Sequence, residues 1–261
     1  MIRFNFKRLI IVISLTLIFI KPLFSAETID PIKVNWSFKG ITGKFDRASL
    51  QRGFQVYKEV CSSCHSMQYL SYRNLGEPGG PEFSEQEVKA IAASVEITDG
   101  PDDQGEMFTR SGRPADKFKN PYPNVKASIA ANGGAYPPDM SVLVKARPGG
   151  SNYIYSVLVG YEDPPAGVTL DDGVYYNKYM IGNKIKMSSP LSDDIVEYSD
   201  GTQATVDQMA KDVTTFLSWS AEPELEERHR TGVKVIIYLI LLTTLVYLSM
   251  KKIWSRVDTE V

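Results

Sequence analysis

Residues 61–65 read CSSCH, and they hold both cysteines of the chain together with one of its two histidines. A fold of this chain must therefore accommodate two thiols and an imidazole at one point, with no other cysteine to pair with either thiol. Three chemistries use such a cluster. It can be a redox-active disulfide, half of a structural zinc site, or the attachment point of a c-type haem.

An amphipathic helix is predicted to run into this motif from its N-terminal side. Four residues spaced four, three and four apart share one helical face: Leu50, Phe54, Tyr57 and Cys61. Asp46 or Ser49 can cap the start of this helix. A thioredoxin-type disulfide has the opposite order, with a strand before its two cysteines and a helix after them. The predicted helix therefore disfavours the redox disulfide.

Ligand counting separates the other two chemistries. A structural zinc ion takes four nitrogen or sulfur ligands, and beyond the motif only His229 remains. The pattern Cys-x-x-Cys-His is the attachment signature of c-type haem. In that chemistry Cys61 and Cys64 each form a thioether with a vinyl group of the porphyrin, and His65 becomes the proximal iron ligand. The motif therefore predicts one covalently bound haem c.

The first 26 residues predict a cleaved signal peptide. A basic start is followed by an apolar run from Leu9 to Ile20, too short to span a bilayer here, and then by Ser25 and Ala26. An uncleaved N-terminal anchor is the alternative. Removing residues 1–26 takes away four basic and no acidic residues, so the formal charge changes from −2 to −6 (25 basic against 31 acidic residues). This acidic balance disfavours nucleic acid as a partner and suits a basic protein.

A second apolar stretch, near the C-terminus, predicts a transmembrane helix over residues 232–250. Lys234 is its only charged residue, and no polar stripe marks it as a buried core helix. The flanking basic residues balance, so the export signal decides the orientation. The expected layout is an exported domain at 27–231 on the periplasmic side of the cell membrane, a single span, and a cytoplasmic tail at 251–261.

The middle of the chain reads as loops with a few short helices. Twelve of the fifteen prolines lie within residues 78–190. A capping box at Ser84 and Glu87 predicts one helix, and a second is predicted to open at Thr205 and to stop before Pro223. The segment SNYIYSVLVGY fits a helix or a strand. The predicted fold class is mainly α with long loops: a c-type cytochrome domain around one covalent haem, plus one C-terminal transmembrane helix.

A methionine is expected to complete the coordination of the iron, since His229 lies next to the predicted span and methionine raises the reduction potential relative to histidine. The other methionines lie in the signal, in the span, beside His65 or, for Met209, on a helical stripe. Four candidates remain: Met107, Met140, Met180 and Met187. Met187 is preferred, because it lies in GNKIKMSSPL, a loop bounded by glycine and proline, but spacing alone does not select it.

From Trp36 to its C-terminus the chain resembles the cytochrome c1 family, the c-type haem subunits of the cytochrome bc1 complex (ubiquinol–cytochrome c reductase), in its alphaproteobacterial or mitochondrial form. The resemblance rests on several segments in order: CSSCHS, NPYPN, NGGAYPPDMS, GYEDPPAGV, GNKIKMSSPL, TVDQMAKDVTTFLSWSAEPE and the C-terminal span. It implies that Cys61 and Cys64 carry the haem and that His65 and Met187 are its axial ligands.

The resemblance also implies two further residues at the haem edge. Arg147, in KARPGG, matches a position where the family places an arginine near a haem propionate, and Tyr153 lies in a segment near the same edge. Pro148 departs from the family, whose members often have histidine there. This departure follows Arg147 directly and so concerns the local backbone.

Electron transfer, and not bond-making on a substrate, is the function that the resemblance implies. The chain would pass single electrons from the Rieske iron–sulfur protein to a cytochrome c and would not itself hold the quinol-oxidising site. Its C-terminal helix would contact cytochrome b, in a complex that is dimeric in the family. Three exposed-looking acidic pairs are candidates for steering a basic cytochrome c: Asp102–Asp103, Glu162–Asp163 and Asp171–Asp172.

Two other function classes are disfavoured. A different membrane-anchored cytochrome c, such as an oxidase subunit or a free-standing electron shuttle, would place its methionine much nearer the motif than Met187 is to His65. A haem enzyme such as a peroxidase would need a distal acid–base group, and the sequence has no spare histidine away from the predicted span.

Overall fold

The computed structural model describes residues 29–257. The predicted signal peptide and the last four residues of the predicted tail lie outside the described residues. Six α-helices are described: α1 (Arg47–Glu59), α2 (Glu85–Ala93), α3 (Val125–Ala131), α4 (Ser151–Val159), α5 (Val206–Ala221) and α6 (Leu225–Val257). Two small antiparallel ladders pair β1 (Glu96–Asp99) with β2 (Phe108–Ser111) and β3 (Tyr175–Tyr176) with β4 (Lys184–Ile185). The mainly helical, loop-rich fold class is confirmed.

Helix α1 leads into the cysteine motif as its periodicity predicts. Of the two possible caps, Asp46 is the one used, and its carboxylate accepts a hydrogen bond of 2.7 Å from the backbone N–H of Ser49. The helix ends at Glu59, and a single 3-10 turn, Cys61–Ser63, continues it. The motif therefore follows the C-terminal end of a helix whose N-terminal end is capped by a side chain.

Helices α1 and α5 form the centre of the core. Phe54 of α1 and Phe216 of α5 meet with ring centroids 5.7 Å apart, and Phe216 also packs against Trp219. Gly53 faces α5 so closely that an added Cβ would overlap the backbone carbonyl of Asp212. The two helices can approach this closely only because position 53 carries no side chain.

Substituting Gly53 with alanine should therefore destabilise the protein although alanine favours helices. Overpacking at a helix contact costs typically about 1–3 kcal/mol in free energy of unfolding. Denaturant titration in detergent measures the change, with Gly232→Ala as the control, because an added Cβ at Gly232 meets no atom within 4 Å. Equal stabilities of the two variants would contradict the close approach at Gly53.

The segment SNYIYSVLVGY is a helix, α4, and its apolar residues gave no clear period because it is buried on most sides. All five consecutive residues Ile154–Leu158 are buried. The hydroxyls of Ser151 and Ser218 lie 2.9 Å apart and join α4 to α5. The predicted caps of α2 at Ser84 and of α5 at Thr205 are confirmed.

Helix α6 is the candidate membrane span. Its 33 residues reach about 50 Å, and none of its most apolar 18-residue window is buried, so it is not a core helix. It begins at Leu225, before the predicted span, and its first turns attach to the haem-motif domain. The Glu226 carboxylate binds the Arg47 guanidinium at 2.8 and 2.9 Å, and Nδ1 of His229 lies 3.1 Å from the carbonyl of Gly43.

Candidate haem site

Both cysteines of the motif are free thiols. Cys61 is buried, and Cys64 is half-buried. Burial, reinforced by the neighbouring Cys64, raises the pKa of Cys61 to about 12. A redox-active dithiol instead has a cysteine whose pKa is lowered so that it reacts as a thiolate. The environment of Cys61 therefore does not favour a thiolate at this position.

One ring nitrogen of His65 is hydrogen-bonded to the protein backbone, and the other is left to bind a metal. Nδ1 lies 2.8 Å from the backbone carbonyl of Pro138. A carbonyl can only accept, so Nδ1 carries the proton and Nε2 keeps its lone pair for a metal. Burial lowers the pKa of His65, which favours this neutral form. This donor arrangement beside two free thiols fits a covalently attached haem.

A short network holds the Pro138 carbonyl against the imidazole. The Asp139 carboxylate accepts hydrogen bonds from the Ser66 hydroxyl at 2.7 Å and from the backbone N–H of Gln68 at 2.9 Å. The backbone N–H of Met140 donates to the carbonyl of Ser66 at 2.8 Å. Burial opposes the charge on Asp139, but these and other hydrogen bonds outweigh it and lower the pKa of Asp139. The network ties NGGAYPPDM to the motif.

Three of the four candidate methionines lie in clearly different environments. Met107 is 60% exposed beside β2, and Met140 is buried in the hydrophobic core. The thioether of Met180 accepts a hydrogen bond from the Tyr153 hydroxyl, with oxygen and sulfur 3.2 Å apart. Met209, predicted to be a core residue, is fully buried in α5, so that prediction is confirmed.

Met187 lies in the loop that follows β4. Its side chain is half-buried, and its backbone carbonyl accepts a hydrogen bond of 3.0 Å from the Tyr161 hydroxyl. Met187 thus lies on irregular backbone, but a side chain from another segment holds that backbone in place. Its assignment as an iron ligand stays a prediction.

Arg147 lies in the turn before α4 and Tyr153 in the first turn of α4, near enough for the charge of Arg147 to act on the phenol. Burial raises the pKa of Tyr153, and the positive charge of Arg147 opposes that rise. The Arg147 side chain is exposed and donates to the carbonyl of Ala146 at 3.1 Å. Despite the departure at Pro148, a turn closes there, with the N–H of Gly150 donating to the Arg147 carbonyl at 3.0 Å. The propionate role of Arg147 and the position of Tyr153 at the haem edge stay predictions.

The three acidic pairs are exposed, but two of their carboxylates already contact other groups of the protein. Asp102 accepts hydrogen bonds from the backbone N–H groups of Gln104 and Glu106 and so stabilises its own loop. Glu162 forms an ion pair with Lys178 at 3.3 Å.

Comparison with known proteins identifies the family. The family model described as "Cytochrome C1 family" matches residues 36–257. The chain belongs to the cytochrome c1 family. Cytochrome c1 from Rhodospirillum rubrum is 48% identical over 241 residues, covering 86% of this chain and 88% of that protein. A mitochondrial cytochrome c1 heme protein from Arabidopsis thaliana is 51% identical over 222 residues, covering 84% of this chain and 71% of that protein.

A third relative is a longer protein. Cytochrome b/c1 from Bradyrhizobium diazoefficiens is 51% identical over 239 residues, which cover 84% of this chain but only 35% of that protein. Membership of the cytochrome c1 family makes this chain a haem-carrying electron-transfer protein and confirms the resemblance.

The sequence left Pro138 and Asp139 without a role. The segment NGGAYPPDM carried part of the family resemblance. Only the folded chain brings the Pro138 carbonyl of this segment to His65, 73 residues away. The paired prolines mark this segment in the sequence. They do not indicate that one of its backbone carbonyls contacts His65, because every residue has a backbone carbonyl.

Proposed function

We propose that this chain is the haem c subunit of a cytochrome bc1 complex, with the haem attached through Cys61 and Cys64 and with His65 and Met187 as axial ligands. The observation that carries the proposal is the imidazole of His65, which is committed through Nδ1 to the Pro138 carbonyl beside two free thiols. When bound, the haem supplies a one-electron cycle of its iron between the ferric and ferrous states.

The residues of this chain set the conditions for that cycle. His65 presents a neutral, oriented imidazole, and Met187 presents a thioether that favours a higher reduction potential than a second histidine would. With both His65 and Met187 bound to it, the iron would offer no free site to small molecules. Arg147 supplies a positive charge for a propionate at the haem edge, and Tyr153 lies near the same edge.

The partners follow from the family and from the charge. The chain accepts electrons from the Rieske iron–sulfur protein and donates them to a basic cytochrome c, which suits a net charge of −6 after signal removal. Helix α6 crosses the cell membrane and contacts cytochrome b, an association supported by the name of the longer relative, Cytochrome b/c1. The haem-bearing domain lies on the periplasmic side, the C-terminus in the cytoplasm, and the complex is a dimer.

Detergent purification of the full chain from its native membrane tests this proposal. Cytochrome b and the Rieske protein are expected to co-purify, and the reduced protein should bind carbon monoxide only slowly because both axial positions are filled. Persistent isolation as a lone cytochrome would contradict the complex, and rapid carbon monoxide binding would contradict the six-coordinate carrier.

Covalent attachment has its own test. The double variant Cys61→Ser, Cys64→Ser should lose haem from its band on a denaturing gel, because serine hydroxyls do not form the thioethers. Ser63→Ala is the matched control, since Ser63 is exposed in the same turn and should retain the haem stain. Haem that stays with the double variant would show that the cofactor is not held by these thiols.

A further inference from the structure

The loop that carries Met187 has little regular structure of its own. The strands β3 and β4, which precede it, are two residues each, and a 3-10 turn at Ile181–Asn183 connects them. Two-residue ladders hold a backbone weakly. A side chain delivered from this segment must therefore be positioned by contacts with other parts of the fold.

Those contacts come from the C-terminal end of helix α4. The last carbonyls of a helix have no partners within it. Here the side-chain amide of Asn177 donates to the Val157 carbonyl at 2.7 Å, and the backbone N–H of Lys178 donates to the Gly160 carbonyl at 3.1 Å. Asn177 is fully buried, so its hydrogen bonds are shielded from water.

The same amide also organises the segment that leads to Met187. Its oxygen accepts from the backbone N–H of Tyr179 at 3.1 Å, and the backbone N–H of Asn177 donates to the Asn183 carbonyl at 3.1 Å. Gly160 leaves room for this docking, because an added Cβ there would come within 3.0 Å of the Asn177 side-chain oxygen. The segment between β3 and β4, which leads into the loop, is therefore clamped to the end of α4.

Met187 itself is held by one side chain from the C-terminal end of α4. Tyr161 follows the C-cap of α4, and its hydroxyl donates to the carbonyl of Met187 at 3.0 Å. A backbone bridge between Tyr161 and Asn177 joins the two contacts. One helix end thus holds both the segment that leads to Met187 and the backbone of Met187 itself.

We propose that Tyr161 is a positioning residue that holds Met187 for ligation, through its hydrogen bond to the Met187 carbonyl and the docking of Asn177 on α4. This inference rests on the proposed role of Met187 as sixth ligand. Without the hydrogen bond, the backbone at Met187 gains conformations that must be lost again whenever the thioether binds. Met187 would then hold the iron for a smaller fraction of the time.

The substitution Tyr161→Phe tests this role in the full haem-loaded chain. The sixth position should be open more often, so carbon monoxide should bind the reduced protein roughly 3- to 10-fold faster, as expected for the loss of one hydrogen bond. The charge-transfer band of methionine-ligated ferric haem should weaken as well. Tyr175→Phe is the matched control, because Tyr175 lies in β3 and is 42% exposed. Its rate should stay that of the wild type.

A second background separates this inference from the ligand assignment. In Met187→Leu the sixth position is already open, so Tyr161→Phe should then cause no further increase. If Met187→Leu alone leaves carbon monoxide binding unchanged, the ligand assignment fails. If Met187→Leu accelerates binding but Tyr161→Phe matches Tyr175→Phe, the ligand assignment stands and the positioning role of Tyr161 fails.

Discussion

Replacing Met187 with leucine should remove the sixth iron ligand and lower the reduction potential by about 0.1 V or more, a fraction of the roughly 0.8 V over which axial ligands set haem potentials. Leucine has a similar volume but no sulfur, so packing changes little while ligation is lost. Redox titration measures the potential, and the optical spectrum should lose its six-coordinate low-spin character.

Met107→Leu is the control for that experiment. Met107 is 60% exposed beside a hairpin, so its substitution should leave both the spectrum and the potential unchanged. Met180→Leu provides a second comparison, because its thioether accepts a hydrogen bond from Tyr153. A low-spin spectrum that survives in Met187→Leu but is lost in Met180→Leu would move the ligand to Met180.

The second large effect concerns stability and not the haem. Asp212 of α5 is fully buried and accepts hydrogen bonds from the Arg52 guanidinium of α1 at 2.8 and 3.1 Å. The side-chain amide of Gln208 donates to the same carboxylate at 3.0 Å. Asp212→Ala should destabilise the protein by about 3–5 kcal/mol, because it leaves the guanidinium largely enclosed without its main partner.

Asp200→Asn is the matched control, since Asp200 pairs with the same guanidinium but its side chain is 41% exposed. An exposed pair contributes about 0–1 kcal/mol, so this variant should unfold close to the wild type. Denaturant titration in detergent measures both free energies of unfolding. Similar losses in the two variants would show that burial does not distinguish the two contacts. The double substitution Arg52→Met, Asp212→Leu should recover much of the stability lost in Asp212→Ala.

Local signals were sufficient for the starts of α2 and α5, and they left two candidate caps for α1. Asp46, Ser84 and Thr205 each cap a helix with a side chain that reaches only three residues along the chain. Such contacts are complete within one segment, so residue types at short spacing are enough to predict them. Helix α4 was ambiguous for the opposite reason. Its burial on most sides removes the alternation of apolar and polar residues by which a period is recognised.

The methionine candidates show the limit of local signals at the site. The sequence reduced eight methionines to four, using the signal, the span, one helical stripe and the closeness of one methionine to His65. Tertiary contacts then distinguished Met140, which lies in the core, from Met180, which Tyr153 engages. A thioether has the same chemistry at every position, so its role depends on which side chains the fold places around it.

The sequence by itself predicted the chemistry of the motif, because Cys-x-x-Cys-His is the attachment signature of c-type haem. It also determined the apolar helix, since length and hydropathy are properties of a single segment. Only the tertiary structure brought the Pro138 carbonyl to His65 and the Tyr161 hydroxyl to the carbonyl of Met187. These two hydrogen bonds join segments 73 and 26 residues apart, and each involves a backbone carbonyl, a group that every residue carries and that only folding can place.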